Sequence, residues 1–248
     1  MKIGVLGAGW LGKTLVELLR EIEKNEVRFT NRAKTAGDSG SFAFEFGNSI
    51  PQAFIDELDV LFISSTLPRN EADAIADFVH SLQIALPKTC KIVLTSTIGV
   101  YQDVDVVVDE NTSFINEESV YYNMEQLLFN NFPGRTIILR LGGLIGEDRH
   151  PITSLAGREG VADGQKGVNL VHRGDILRFC QLIVDAKVPN GIYNLVYPQH
   201  PKKGDYYTKQ AIERQLVPPS FLSGNANGKI VDSAKSLAIE GFSYTYSI

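Results

Sequence analysis

The chain has 248 residues, enough for one large domain or one and a half. At 44% apolar and 21% charged residues, it has the composition of an ordinary soluble protein with a substantial core. The net charge of −5 speaks against a nucleic-acid partner, and the longest apolar runs are strand-sized, far short of the ~20 residues that span a bilayer. Cys90 and Cys180 each lie in an apolar stretch and read as buried free thiols of a reducing compartment. The opening "MKIGVL" runs directly into a strand and lacks the shape of a signal peptide, so a cytoplasmic protein is expected.

In chain order, strand-like runs alternate with amphipathic helices. Lys2–Leu6 predicts a strand and Leu11–Ile22 a helix, with Leu11, Leu15, Leu18, Leu19 and Ile22 on one face. Further strands are predicted at Glu26–Thr30 and Asp59–Ser64, with a short one at Phe42–Phe46. Glu71–Leu82 predicts a helix with Asn70 as its N-cap and Ile75, Phe78, Val79 and Leu82 facing inward. A strand at Lys91–Thr95, a helix at Glu118–Phe129 and a strand at Arg135–Leu141 complete a rhythm that implies a parallel sheet with crossover helices. Beyond about residue 145 the texture turns rich in glycine and charge and reads as a loop or lid. A helix at Ile176–Ala186 with Asp175 as N-cap and a strand in "GIYNLVY" follow, and the last fifty residues read as turn-rich. No internal repeat or low-complexity segment is present.

The strongest motif is "VLGAGWLGKTL". Gly7, Gly9 and Gly12 have the G-x-G-x-x-G spacing, after a strand and at the opening of a helix, which is the context the motif requires. Gly7 permits a tight turn, Gly9 lets the backbone approach a pyrophosphate, and Gly12 lets helix and strand pack closely. The helix N-terminus, from Trp10 and Leu11, presents free N–H groups to phosphates. Trp10 either borders the pyrophosphate or nicotinamide side or packs against the body. The second strand ends "RFTNRAK", and no carboxylate occurs between Glu26 and Asp38. Asn31 and Arg32 stand where an NAD site usually has an acid for the ribose 2′-hydroxyl. An arginine pairs with a 2′-phosphate that a carboxylate would repel, so NADP(H) is favoured, with NAD as the alternative. The fold class expected is α/β: a Rossmann-like doubly wound parallel sheet in a nucleotide-binding body of residues 1–150. A smaller C-terminal substrate lobe, 151–248, would return a late strand near 191–196 to the sheet.

Further motifs occur in order. "LTSTIGVYQD" (94–103) resembles the fifth-strand end of extended short-chain dehydrogenases. "LRLGGLIGEDRHP" (139–151) resembles their segment leading into the substrate lobe, "VNLVHRGDI" (168–176) their His-x-x-Asp segment, and "GIYNLV" (191–196) the strand that follows. Together, from residue 5 to about 197, the chain resembles an atypical short-chain dehydrogenase/reductase of the NAD-dependent epimerase/dehydratase type. That resemblance implies hydride chemistry served by a Ser or Thr, a Tyr and a Lys. It places Thr97 at the hydroxyl position, with Ser96 as fallback, and Ser64, Ser65 and Thr66 under the nicotinamide ribose.

The tyrosine position departs from the family. In "SVYYNMEQLLF" the fourth residue after Tyr121 is Glu125 and after Tyr122 is Gln126; aligned on "EQLL", Glu117 falls at the tyrosine position and Tyr121 at the lysine position. No lysine occurs between Lys91 and Lys166, so no register restores the pair. Tyr121 and Tyr101 are the candidate proton donors, beside their reading as packing residues; Glu117 and Glu118 are helix-start carboxylates or acid/base groups of a cleft. His172 and Asp175 read as a half-buried histidine and a helix cap. His150 and Arg149 face a substrate phosphate or carboxylate, or solvent. No histidine or cysteine spacing suggests a metal.

Two functions follow. One is an NADP-dependent oxidoreductase or epimerase-like enzyme acting on a small polar substrate, such as a sugar or sugar nucleotide, between Thr97, Tyr121 and the 145–170 loop. The other is a non-catalytic NADP(H) sensor. "GAGWLG" and "NRAKTA" also resemble the opening of 3-hydroxyacid dehydrogenases, which need a helical second domain. A monomer or homodimer without membrane or nucleic-acid partners is expected.

Overall fold

The computed structural model describes residues 1–68, 72–224 and 228–248. β1 (Lys2–Leu6) leads into α1 (Trp10–Arg20), β2 (Glu26–Asn31) and β3 (Ser41–Ala43). After α2 (Gln52–Ile55) come β4 (Val60–Ile63), α3 (Ala72–Ala85) and β5 (Lys91–Thr97). β6 (Val107–Val108) precedes α4 (Val120–Asn131), β7 (Thr136–Leu141) and β8 (Gly143–Ile145). The remainder holds α5 (Ile152–Leu155), β9 (Leu170–His172), α6 (Arg173–Val184), β10 (Gly191–Leu195), α7 (Lys203–Glu213), β11 (Ile230–Val231) and α8 (Ala234–Leu237).

Seven strands form one sheet in the order β10-β7-β5-β4-β1-β2-β3. β1 pairs in parallel with β2 on one side and β4 on the other, and β2·β3 and β4·β5 are parallel too. The strand order therefore reverses beside β1, the arrangement of a Rossmann-like doubly wound fold. The central strands are apolar without alternation because both faces are covered: every residue of β4 and of β7 is buried. α1 packs on β1 and β2, and α3 packs against α4.

The chain divides into two compact units. The first comprises Met1–Val100, Glu117–Arg140 and Leu177–Tyr193. Its core includes Leu6, Phe54, Leu61, Ile63, Ile92, Leu94, Met124 and Leu128, none more than 1% exposed. Each such side chain contributes about 1.5–3 kcal/mol on burial. The second comprises Tyr101–Asn116, Leu141–Ile176 and Asn194–Ile248. It has two small parallel ribbons, β6·β11 and β8·β9, and a core of Ile145, Ile152, Val168, Leu170, Tyr206, Tyr207 and Ala211.

Several local expectations are corrected. The stretch from 145 to 170 is not a bare loop: it carries α5 and is closed at its two ends by the paired strands β8 and β9. The last fifty residues are not all turns: they include helix α7, which buries Tyr206, Tyr207, Gln210 and Ala211 against the second core. α6 begins at Arg173, so Asp175 sits in its first turn and is not its cap. Asp175 is fully buried and accepts hydrogen bonds from the Thr245 N–H (2.9 Å) and hydroxyl (3.1 Å), which fasten the 245–246 segment to this turn. The third strand is Ser41–Ala43 and ends before Phe44, because Phe44 and Phe46 turn to pack on Phe78. Asn70, the expected cap of α3, lies outside the described residues.

Candidate functional site

The glycine loop joins β1 to α1. Gly7 has φ +94°, and a Cβ there would lie 2.7 Å from the Ser65 backbone just past β4, so only glycine fits. A Cβ on Gly12, in the first turn of α1, would fall 2.1 Å from the Gly7 carbonyl oxygen. Its absence sets how closely the helix approaches the strand. Gly9, the N-cap of α1, has nothing within 4 Å of a would-be Cβ, so space lies open above the loop. α1 has no side-chain cap and no acidic residue in its first turn, which leaves its first N–H groups to an outside acceptor. The loop is pinned to the end of β2: the Gly7 N–H donates to Thr30 Oγ1 (3.0 Å) and the Ala8 N–H to the Thr30 carbonyl (2.8 Å).

A cavity of about 670 Å³ opens beside this loop at the C-terminal ends of β1, β2 and β4. Its size suits a bound small molecule. Gly7, Gly9, Asn31, Arg32, Ser64, Ser65 and Thr66 all line it. Leu11 is buried within α1, Gly12 acts through the close approach just described, and Trp10 stands partly exposed at the helix start. The Asn31 amide meets Thr35 Oγ1 at 3.3 Å, and in its other orientation it donates to the Ala8 and Thr30 carbonyls at 3.2 Å each. Asn31 therefore holds the loop to the strand end. Arg32 is exposed on the cavity and has no ion-pair partner among the described residues. Glu45 lines the same cavity and was missed by sequence reasoning, which sought an acid only as far as Asp38. The pairing of Asn31 with Ala43 carries Glu45 to this edge from the next strand.

The three candidates for chemistry have separate settings. Thr97 ends β5, partly exposed, and its Oγ1 accepts from the Gly99 N–H (3.0 Å). Tyr121, in the first turn of α4, is partly buried against the first unit's core. Tyr101 is 2% exposed and donates to Asn194 Oδ1 at 2.7 Å. Glu125, four residues after Tyr121, is fully buried: Arg140 Nη2 donates to its Oε2 (2.6 Å) and Ser96 Oγ to its Oε1 (2.5 Å). The acid in the lysine position thus faces the core, where its charge is met by Arg140. Ser96, the fallback hydroxyl, is 4% exposed and occupied in the same network. Glu117 and Glu118 are exposed before the helix begins.

No family model matches the chain. Protein YeeZ of Escherichia coli (strain K12) is 31% identical over 268 residues, spanning 99% of this chain and 96% of that protein. The chain belongs to the YeeZ family. Among solved structures, UDP-glucuronic acid 4-epimerase from Bacillus cereus, in complex with NAD, superposes with a TM-score of 0.80 at 18% identity, over 100% of this chain and 94% of that one. Human epimerase family protein SDR39U1, with NADPH, gives 0.72 at 18% identity, over 99% and 95%. These likenesses establish the fold of this YeeZ-family chain as that of the extended short-chain dehydrogenase/reductases of the epimerase/dehydratase type. Among the described residues, no group of three or more His, Cys, Asp or Glu could hold a metal ion, and no helix is long and apolar enough to cross a membrane. Burial pushes the free thiols of Cys90 and Cys180 up to about 12, so neither supplies a thiolate near neutrality.

Proposed function

We propose that this YeeZ-family protein binds NADP(H) in the glycine-loop cavity and acts on a small polar substrate of the sugar or sugar-nucleotide class. The observation that carries this reading is the built cradle: Gly7 in a conformation only glycine tolerates, open space above Gly9, and an uncapped α1 N-terminus on one cavity with Arg32. A dinucleotide's pyrophosphate would rest on the α1 N–H groups. The free Arg32 guanidinium offers two parallel N–H donors to a ribose 2′-phosphate. Ser64, Ser65 and Thr66 would hold the nicotinamide ribose. Bound there, the nicotinamide supplies the capacity to give or take a hydride. Thr97 is the hydroxyl on offer to a substrate oxygen, and Tyr121 the phenol available to pass a proton, while the Tyr101 proton is committed to Asn194. Support for the substrate class comes from the shared fold with a UDP-glucuronic acid 4-epimerase.

A second reading, a non-catalytic NADP(H) sensor, is favoured by one observation. The position four residues after Tyr121 holds an acid sealed in the core with Arg140, where the resemblance to short-chain dehydrogenases leads one to expect a lysine. Both readings require the cofactor. Titration calorimetry with NADPH and NADH separates Arg32 from a merely solvated loop residue. Arg32→Ala is expected to weaken NADPH binding tenfold or more, about 1.4 kcal/mol, and to leave NADH binding nearly unchanged. Equal NADPH affinity in both proteins would remove the 2′-phosphate role.

A further inference from the structure

A second cavity, of about 400 Å³, lies wholly within the second unit, lined by His150, Tyr206, Arg214, Lys209 and the acids Glu147 and Glu213. His150 and Tyr206 are 7% and 5% exposed, and their bonding fixes a direction. The Ile152 N–H donates to His150 Nδ1 (3.1 Å), so the ring proton must sit on Nε2. Nε2–H then donates to the Tyr206 hydroxyl oxygen (2.8 Å), so that hydroxyl is the acceptor in this pair. Its own proton is left without an acceptor among the described residues, at a cavity wall. A buried donor in that position is a cost unless something accepts from it.

The charges around it are unequally matched. Glu147 receives Arg173 Nη2 at 2.8 Å, and Glu213 receives Gln210 Nε2 at 3.0 Å. Arg214, by contrast, donates to the Gln210 carbonyl and side-chain oxygens and has no carboxylate partner among the described residues. Burial, with the nearby Arg214 charge, lowers the His150 pKa to about 4, and burial raises that of Tyr206, so the relay keeps its polarity near neutral pH. What the Tyr206 hydroxyl lacks is an acceptor among the described residues, and Arg214 on the same cavity favours one that carries negative charge.

We infer that this cavity is a binding site for a small oxyanion, a carboxylate or phosphate group, accepting from the Tyr206 hydroxyl and paired with Arg214. It is separate from the glycine-loop cavity and does not rest on the cofactor proposal. The test is NMR of the four histidine rings of the full chain, with inorganic phosphate and malonate titrated separately. The His150 ring resonance is expected to shift saturably with at least one anion while the His80 resonance stays still. A response to phosphate alone points to a phosphate monoester, and one to malonate alone to a carboxylate. Tyr206→Phe, which keeps the ring, should abolish the saturable shift. Arg214→Gln, at an exposed position where folding is not at stake, should weaken it at least tenfold. No saturable shift with either anion, or an unaltered one in Arg214→Gln, would overturn the site.

Discussion

Replacing Glu125 by glutamine is expected to destabilise the protein by about 3–5 kcal/mol, a large part of a typical total stability. For a chain of this size the melting temperature should fall by about 6–20 °C. The side chain keeps its shape, but Arg140, 2% exposed, loses the carboxylate charge that meets it at 2.6 Å. Ser96 also loses a charged acceptor. The double variant Glu125→Leu, Arg140→Met should recover most of that loss, because apolar replacements remove the desolvation cost along with the attraction. A drop below about 1 kcal/mol for Glu125→Gln would show that water or another group compensates Arg140.

The second large effect is expected at Gly12. In most helices glycine to alanine is favourable by about 1 kcal/mol. Here the new Cβ would sit 2.1 Å from the Gly7 carbonyl oxygen, a backbone atom that cannot swing aside. Helix α1 must back away from β1, at a cost of about 1–3 kcal/mol or more. The loop geometry on which a pyrophosphate would rest moves with it. Gly12→Ala should therefore melt lower than wild type and bind neither NADPH nor NADH measurably, while Gly9→Ala, whose Cβ meets nothing, should keep the wild-type melting temperature. Unaltered melting in Gly12→Ala would mean that the helix has slack at this point.

The fold was legible because its physical signals are local. β1, β4 and β5 are buried on both faces and read as short continuous apolar runs; α1 shows an apolar stripe at helical spacing; and the glycine spacing marks the loop between strand and helix. What escaped depends on partners distant in sequence. Glu125 reads as a lysine's replacement, and only the structure shows it meeting Arg140 from a strand fifteen residues on. A signal was nonetheless present, since Glu125 lies between Met124 and Leu128 on the buried stripe of α4. Helix α7 was hidden because its inward residues are two tyrosines, a glutamine and an alanine amid lysines, a weakly apolar face. Glu45 reaches the cavity through strand pairing that no window along the chain displays.

The account stands on dinucleotide binding at the glycine loop, and the most direct measurement uses Trp10, the chain's single tryptophan and the first residue of α1. Reduced nicotinamide absorbs where indole emits, so a nucleotide seated on this loop must draw energy from Trp10. Titrating the protein with NADPH while exciting the indole should give saturable quenching of Trp10 with matching sensitised nicotinamide emission, and NADH should do the same at higher concentration. No energy transfer with either nucleotide would contradict the account and leave a Rossmann-like scaffold whose glycine loop serves another ligand.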